Sequence, residues 1–255
     1  MIHVSVAGAT GWVGRPLCLA IQNCDDLRLA AAVARSRSGE RVGDISISGS
    51  VEEALRIPSD VFVDFTHPDA AKAHALMALS AKRHVVIGTS GLTDQDFEEI
   101  GSVALARGLG VVAVGNFALS AVLLQRFAAE AAKHLLSWEI VDYASDAKVD
   151  APSGTARELA WRLAQVSAPE TTVPIDQTVG ARESRGTTLN GSQVHSVRLP
   201  GYTIGVEVRF GGTGERLTIA CEGGVEADPY IVGTLLAIRR VAEVRGLLRG
   251  LDPFL

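Results

Sequence analysis

The densest chemistry in this 255-residue chain lies in Lys148-Val149-Asp150-Ala151-Pro152-Ser153-Gly154-Thr155-Ala156. A cation comes first, then a turn, then small residues that open a helix. The first amides of a helix have no intrahelical acceptor and carry partial positive charge. The N–H groups of Gly154 and Thr155, the Thr155 hydroxyl and the Lys148 ammonium can therefore converge on a carboxylate, with Ser153 at the same opening. An ordinary capped helix beside a surface lysine fits these residues equally well.

A second cluster, Gly8-Ala9-Thr10-Gly11-Trp12-Val13-Gly14, directly follows a β-like run and opens a helix. Glycines there let the backbone turn sharply and approach a pyrophosphate seated on the helix N-terminus. The purely structural alternative is a tight strand-to-helix turn. The end of the next β run reads Ala34-Arg35-Ser36-Arg37-Ser38. An acid at this point would bind the ribose 2′-hydroxyl of NAD. Instead Arg35 and Arg37, without an acidic partner in the segment, suit a 2′-phosphate. NADPH is the expected cofactor and NADH the second choice; a solvated basic turn is the bland alternative.

These residues need a scaffold, and the first half supplies alternating β and α patterns. Ile2–Ala7, Leu27–Ala34, Val61–Phe65, His84–Gly88 and Val111–Gly115 read as strands. Trp12–Gln22, Ala70–Ala81 and Asp94–Ala106 read as helices, the last with a Thr93/Asp96 capping box. Such alternation predicts an α/β fold, a Rossmann-type parallel sheet covered on both faces. Beyond it, Trp138–Ala144 reads as a strand and Gly154–Val166 as a helix, while Ser167–Asn190 lacks periodicity. Val194–Leu199, Gly205–Phe210 and Glu215–Cys221 suggest an antiparallel meander. Asp228-Pro229 reads as an N-cap and N1 proline for a last helix, Tyr230–Arg245. The expected division is a dinucleotide-binding domain over 1–116, completed by 229–255. A smaller α+β substrate-binding and oligomerisation domain, with a mixed or antiparallel sheet, covers 117–228.

Composition excludes several other classes. A net charge of −5 gives no basic footprint for nucleic acid. No apolar run approaches the roughly 20 residues needed to span a bilayer, and Met1 leads into a β pattern rather than a signal core. Cys18, Cys24 and Cys221 lack metal-type spacing and read as buried thiols of a reducing compartment. The expected location is the cytoplasm. His67, His74, His84 and His134 share no ligand spacing, so no metal is expected.

With these residues in view, the chain resembles the dihydrodipicolinate reductases of lysine biosynthesis over essentially its whole length. Gly8–Gly14 resembles that family's nucleotide loop, and Asp64-Phe65-Thr66-His67-Pro68 the segment after its third main strand. Gly88-Thr89-Ser90-Gly91 is similar to its nicotinamide-side loop, and Gly115-Asn116-Phe117-Ala118 to its hinge. Lys148–Ala156 matches its most specific motif. Val194–Leu199 and Gly250–Leu255 look like the actinobacterial branch. The resemblance implies a homotetrameric enzyme that transfers hydride from NAD(P)H to a cyclic α,β-unsaturated imine dicarboxylate. It puts Lys148, Gly154 and Thr155 on a substrate carboxylate. It puts Phe65, Thr66, Gly88, Thr89, Ser90, Asn116 and Phe117 in the cofactor site.

One departure bears on chemistry. Where the family carries adjacent histidines, one of them thought to deliver the proton, this chain has Ala144-Ser145. Gly205 and Cys221 also replace histidines of the later strands, and Glu222–Tyr230 departs as well. The usual reaction is then expected to be weak unless Tyr143, Asp146 or Glu207 substitutes. A substrate that is already a protonated iminium would need no enzyme acid. Two rivals remain. An extended short-chain dehydrogenase would need a Tyr-x-x-x-Lys pair, but Tyr143 to Lys148 is one residue too long. A non-catalytic NADP-binding sensor would keep the fold without turnover.

Overall fold

The structure is a computed structural model that describes residues 1–224 and 226–255. The chain runs β1 (Ile2–Ala7), α1 (Gly14–Gln22), β2 (Leu27–Val33), β3 (Arg41–Val42), β4 (Ile45–Ser48), α2 (Val51–Ala54), β5 (Val61–Asp64), α3 (Pro68–Ser80), β6 (His84–Ile87), α4 (Asp94–Ala106) and β7 (Gly110–Ala113). It continues through α5 (Leu119–Ala131), β8 (Ser137–Ala144), α6 (Gly154–Ala164), β9 (Thr187–Leu189), β10 (Ser192–Arg198), β11 (Ile204–Gly212) and β12 (Glu215–Gly223), then α7 (Asp228–Arg240) and β13 (Gly246–Arg249). Two units result. One comprises Met1–Ala118 with Glu226–Leu255, and the other is the intervening segment that begins at Leu119.

The first unit is built on a sheet of order β13-β7-β6-β5-β1-β2-β4-β3. Every neighbouring pair is parallel except the short β3–β4 ribbon. The strand order reverses between β1 and β5, the switch point where open α/β sheets bind ligands beyond the carboxyl ends of their strands. The core is made of β-branched strand residues against small helical ones: Val85, Ile87 and Val111 pack with Ala75, Ala78, Leu79, Ile100 and Ala104. Alanine-rich helix faces let α3 and α4 approach the sheet closely, which suits a chain with only 5% aromatic residues. The capping box opens α4 as expected, with Thr93 Oγ1 accepting from Asp96 N at 3.2 Å and Asp96 Oδ2 accepting from Thr93 N at 2.9 Å.

The end of the chain corrects the sequence reading. The last helix stops at Arg240, and after a short 3-10 turn the chain adds β13 to the sheet edge beside β7. Gly246 permits this reversal at φ +79°. Asp228 lies in the first turn, and the cap position is Ala227, without a side-chain cap.

The second unit holds a sheet of order β12-β11-β8-β10-β9. Here the expected meander is replaced. Strand β8 is inserted between β10 and β11, parallel to β10 and antiparallel to β11, and only β11–β12 form the anticipated hairpin. Parallel pairing of β8 with β10 requires a crossover, which α6 and the segment after it supply. Strand β8 alternates half-buried and buried residues along its length. Trp138 and Ile140 face a core with Leu159 and Leu163 of α6 and with Leu124 and Ala128 of α5. Helix α5 had no counterpart in the sequence reading. Its buried Ala121, Leu124, Gln125 and Ala128 do follow helical spacing, but exposed Leu123 and Phe127 blur the stripe.

Candidate active site

The chemistry-bearing residues fall into two groups, one in each unit. In the first, the Gly8–Gly14 turn connects β1 to α1. Gly8 N and Ala9 N both donate to Val33 O at 3.0 Å, and Gly11 N donates to Gly8 O at 2.9 Å. Gly8 has φ +83°, and a Cβ there would overlap the Phe65 carbonyl; a Cβ on Gly14 would overlap that of Gly8. The turn after β1 thus lies directly against the end of β5, at the switch point. Only a bare backbone fits this cradle, which is the arrangement a dinucleotide pyrophosphate requires. Trp12 and Val13 precede the helix, which starts at Gly14 rather than Trp12. Trp12 is 53% exposed and meets Tyr230 edge-on, with ring centroids 5.3 Å apart. Thr10 is half-buried on the same turn.

Arg35 and Arg37 occupy an exposed 3-10 turn immediately after β2. Arg37 does have an acidic partner, contrary to the sequence reading: Glu40 Oε2 lies 3.4 Å from its Nη1. Glu40 follows Arg37 by three residues, and the turn folds it back onto the guanidinium. Both partners are more than half exposed, so solvent screens the pair and a phosphate can displace it.

The loops after β5, β6 and β7 bring the remaining cofactor candidates of this unit together. The Phe65 ring lies so close to Gly88 that any Cβ there would overlap it, and it packs on Phe117 at 5.6 Å. Thr66 N donates to Thr89 Oγ1 at 2.8 Å, joining the β5 and β6 loops. Ser90 is exposed at the rim of that loop. Asn116 is buried and uses Oδ1 to accept from Ala118 N at 2.9 Å, forming a tight turn that leads out of the unit, and Phe117 is buried beside it. Sequence reading missed Asp64 and His74, which lie beneath these loops with Nδ1 and Oδ2 2.8 Å apart. The signal available was an acid closing an otherwise apolar strand.

In the second unit Ser153 caps α6, its hydroxyl accepting from Ala156 N at 3.3 Å. Gly154 and Thr155 form the first turn, with Thr155 buried. The Ser153 amide is tied back to β8 by Asp142 Oδ2 at 2.9 Å, and Arg198 Nη2 joins that oxygen at 2.8 Å and the Asp150 carbonyl at 2.9 Å. Neither Asp142 nor Arg198 was singled out from the sequence, yet they set the course of the whole turn. Lys148 reaches Asp150, Nζ to Oδ1 at 2.7 Å, with both side chains partly exposed. Burial pushes the Asp150 carboxyl up, and the Lys148 contacts more than offset this, leaving it below the usual range. An arriving carboxylate therefore competes with Asp150 for the ammonium.

The candidate proton donors do not gather there. Tyr143 alternates with buried Asp142 and Ala144, so it projects from the sheet face opposite α6. On that face its hydroxyl donates to Glu207 Oε1 at 3.0 Å, which also receives Arg209 Nε at 2.9 Å. Burial and the Glu207 hydrogen bond push the phenol above its ordinary value, so Tyr143 is a weaker acid than a free tyrosine. Asp146 is exposed and accepts from Ser145 Oγ at 3.2 Å, and Ser145 Oγ accepts in turn from Ala147 N. Ala144 is fully buried.

Of the three thiols only Cys18 is buried, its pKa pushed up to about 12 by desolvation; Cys24 and Cys221 are half-buried rather than buried. His67 and His134 are exposed, and His84 accepts from Gly110 N. Among the described residues no group of three or more His, Cys, Asp or Glu side chains is placed to hold a metal.

Comparison with known proteins gives consistent matches. The family model described as "Dihydrodipicolinate reductase, N-terminus" matches residues 2–117, and its C-terminal counterpart matches 120–255. A 4-hydroxy-tetrahydrodipicolinate reductase of Desulfitobacterium hafniense is 35% identical over 264 residues, covering 100% of this chain and 98% of the relative. That of Nocardia farcinica is 36% identical over 263 residues, covering 100% and 98%. The dipicolinate-bound dihydrodipicolinate reductase of Paenisporosarcina sp. TG-14 superposes with a TM-score of 0.84 at 29% identity, over all of both chains.

Proposed function

This chain belongs to the dihydrodipicolinate reductase family of NAD(P)H-dependent oxidoreductases, and we propose that it is an NADPH-preferring reductase of a cyclic imine carboxylate that arrives already protonated on nitrogen. The observation that carries this reading is the contrast at the end of β8. The turn that opens α6 is capped by Ser153 and presents a helix N-terminus suited to a carboxylate, while beside it Ala144 has no titratable group and the Ser145 hydroxyl is engaged with Asp146.

In this reading the first unit holds the dinucleotide on the Gly8–Gly14 cradle, with Thr10, Gly11, Trp12 and Val13 along the turn. Phe65, Thr66, Gly88, Thr89, Ser90, Asn116 and Phe117 surround the nicotinamide end. NADPH, when bound, supplies the hydride. The second unit orients the substrate: the amides of Gly154 and Thr155, the Thr155 hydroxyl and Lys148 take one carboxylate, and Ser153 holds the turn in shape. For an iminium, hydride addition to carbon moves the C=N π pair onto nitrogen and cancels its charge, so no residue must deliver a proton. For an α,β-unsaturated imine, a proton must also reach a second carbon, and this chain lacks the usual donor. NADPH oxidation by the purified protein tests the reading, with simple cyclic imine carboxylates set against 4-hydroxy-tetrahydrodipicolinate. Consumption with neither, together with tight NADPH binding, would favour a non-catalytic NADP sensor. Equal consumption with both would mean an ordinary family enzyme with a substitute acid.

Arg35 and Arg37 carry the cofactor preference. Replacing both with alanine is expected to weaken NADPH by roughly tenfold or more, one or two charge-assisted contacts, and to leave NADH unchanged. Calorimetric titration of both cofactors measures this, and equal losses would remove the 2′-phosphate assignment.

Assembly as a homotetramer is part of the same proposal. Neither α5 nor α6 covers the face of the second sheet that carries Glu139, Tyr143, His195, Glu207 and Arg209. These side chains are already paired with one another, Glu139 with His195 at 2.8 Å and Glu207 with Tyr143 and Arg209. Sedimentation is expected to give a species of four chains; a monomer at micromolar concentration would overturn it. None of the described helices is long and apolar enough to cross a membrane, and an NADPH-consuming reductase with unpaired thiols fits the cytoplasm.

A further inference from the structure

The last residues of four adjacent strands form one row across the first sheet: Ala7, Asp64, Ile87 and Ala113. All four are buried, and only Asp64 is polar. Folding alone would be served by another apolar residue there, because burying a carboxylate is costly unless its oxygens are hydrogen-bonded. Asp64 is satisfied by a dedicated set of donors. Its Oδ1 accepts from Thr66 N at 3.0 Å, Thr66 Oγ1 at 2.7 Å and Thr89 Oγ1 at 2.6 Å, while Oδ2 meets His74 Nδ1 at 2.8 Å. Burial pushes this carboxyl up, but the hydrogen bonds from His74, Thr89 and Thr66 outweigh it and hold it below its ordinary value. The donors come from three segments: the loop after β5, the loop after β6, and α3.

The consequence is a fixed orientation for both threonine hydroxyls. Each gives its proton to Asp64, so each offers only lone pairs elsewhere. Thr89 uses one of these to accept the Thr66 amide at 2.8 Å, which locks the two loops together. Phe65, the residue between Asp64 and Thr66, is thereby held against Gly88 and Phe117.

We propose that Asp64 and His74 are positioning residues that, through the hydroxyls of Thr66 and Thr89, hold the β5 and β6 loops in the one arrangement that receives the nicotinamide end of the cofactor. This rests on the dinucleotide reading of the first unit. A charged network of this kind fixes geometry more tightly than packing does, because every member orients the next. Small displacements of a reacting group are costly in hydride transfer.

The test separates the two ends of the cofactor. Affinities for NADPH and for adenosine 2′,5′-bisphosphate, which lacks nicotinamide, are measured for the wild type, Asp64→Asn, His74→Gln, Thr89→Val and Thr89→Ser. The emission of bound NADPH is recorded alongside. His74→Gln and Thr89→Val are expected to weaken NADPH about tenfold, as for one lost charge-assisted hydrogen bond. They should also diminish the emission change on binding and leave the bisphosphate affinity unaltered. Thr89→Ser, which keeps the hydroxyl that meets Asp64, is expected to recover most of the NADPH affinity that Thr89→Val loses. If Asp64→Asn does not fold, His74→Gln, at a residue that reaches the loops chiefly through Asp64, still decides the matter. Parallel losses for both ligands, or no change for either, would reduce the network to a fold element and overturn the proposal. A wild type that binds NADPH no more tightly than the bisphosphate overturns the nicotinamide role directly. A wild type that binds neither overturns the dinucleotide reading and this inference together.

Discussion

Turnover of 4-hydroxy-tetrahydrodipicolinate by this protein is expected to fall roughly 10²–10⁴-fold below that of a relative carrying the adjacent histidines, the usual contribution of general acid catalysis. The structure strengthens the expectation by removing substitutes. Tyr143 lies on the sheet face opposite the α6 turn, donates its hydroxyl hydrogen bond to Glu207 and is held above its ordinary pKa. Glu207 is on that same far face. Asp146 is exposed and engaged by Ser145. The position itself has also closed: Ala144 is fully buried, and an imidazole there would have to displace packed neighbours. Steady-state NADPH oxidation against a histidine-bearing relative measures the difference. A comparable kcat would mean that another acid operates, and Asp146→Asn would then be the first variant to examine. With a pre-protonated cyclic imine carboxylate no such deficit is expected, because its reduction requires no enzyme proton.

Loss of the Lys148 ammonium is the second large effect. Lys148→Ala is expected to weaken carboxylate ligands by roughly tenfold to a hundredfold, from about 1.5–3 kcal/mol for a charge-assisted contact. Partial exposure and the Asp150 carboxylate at 2.7 Å place the result toward the lower end. The same pair gives the experiment a second arm. Asp150→Asn keeps the backbone carbonyl that receives Arg198 but removes the competing charge, so carboxylate ligands are expected to bind more tightly. NADPH affinity should not respond to either change, and a neutral imine should be nearly indifferent to both. Titration of a dicarboxylate such as dipicolinate into each variant measures these shifts. If Lys148→Ala leaves dipicolinate affinity intact, the turn is an inherited helix cap and the substrate carboxylate is held elsewhere.

Much of this protein was legible from its residues because the relevant signals are local. Alternating β and α patterns, the glycines between β1 and α1, the Thr93/Asp96 capping box and the Ser153-Gly154-Thr155 helix opening all depend on backbone geometry within a few positions. Local geometry follows from residue type. The family resemblance rests on the same short motifs. What the residues could not reveal depends on neighbours distant in the chain. Strand β8 sits between β10 and β11 because partner choice in a sheet is decided by how whole faces bury. A short turn between two runs does not decide it. Helix α5 was hidden by exposed Leu123 and Phe127, and β13 by a helical pattern that a turn at Val241–Glu243 interrupts. The largest gains from tertiary structure are polar. Arg198 reaches Asp142 across 56 positions and holds the α6 turn, while Thr89 reaches Asp64 across 25 and joins two loops. Side-chain hydrogen bonds of that span leave no periodicity to read. They exist only once burial has brought the strands together and made an unsatisfied carboxylate too costly to tolerate.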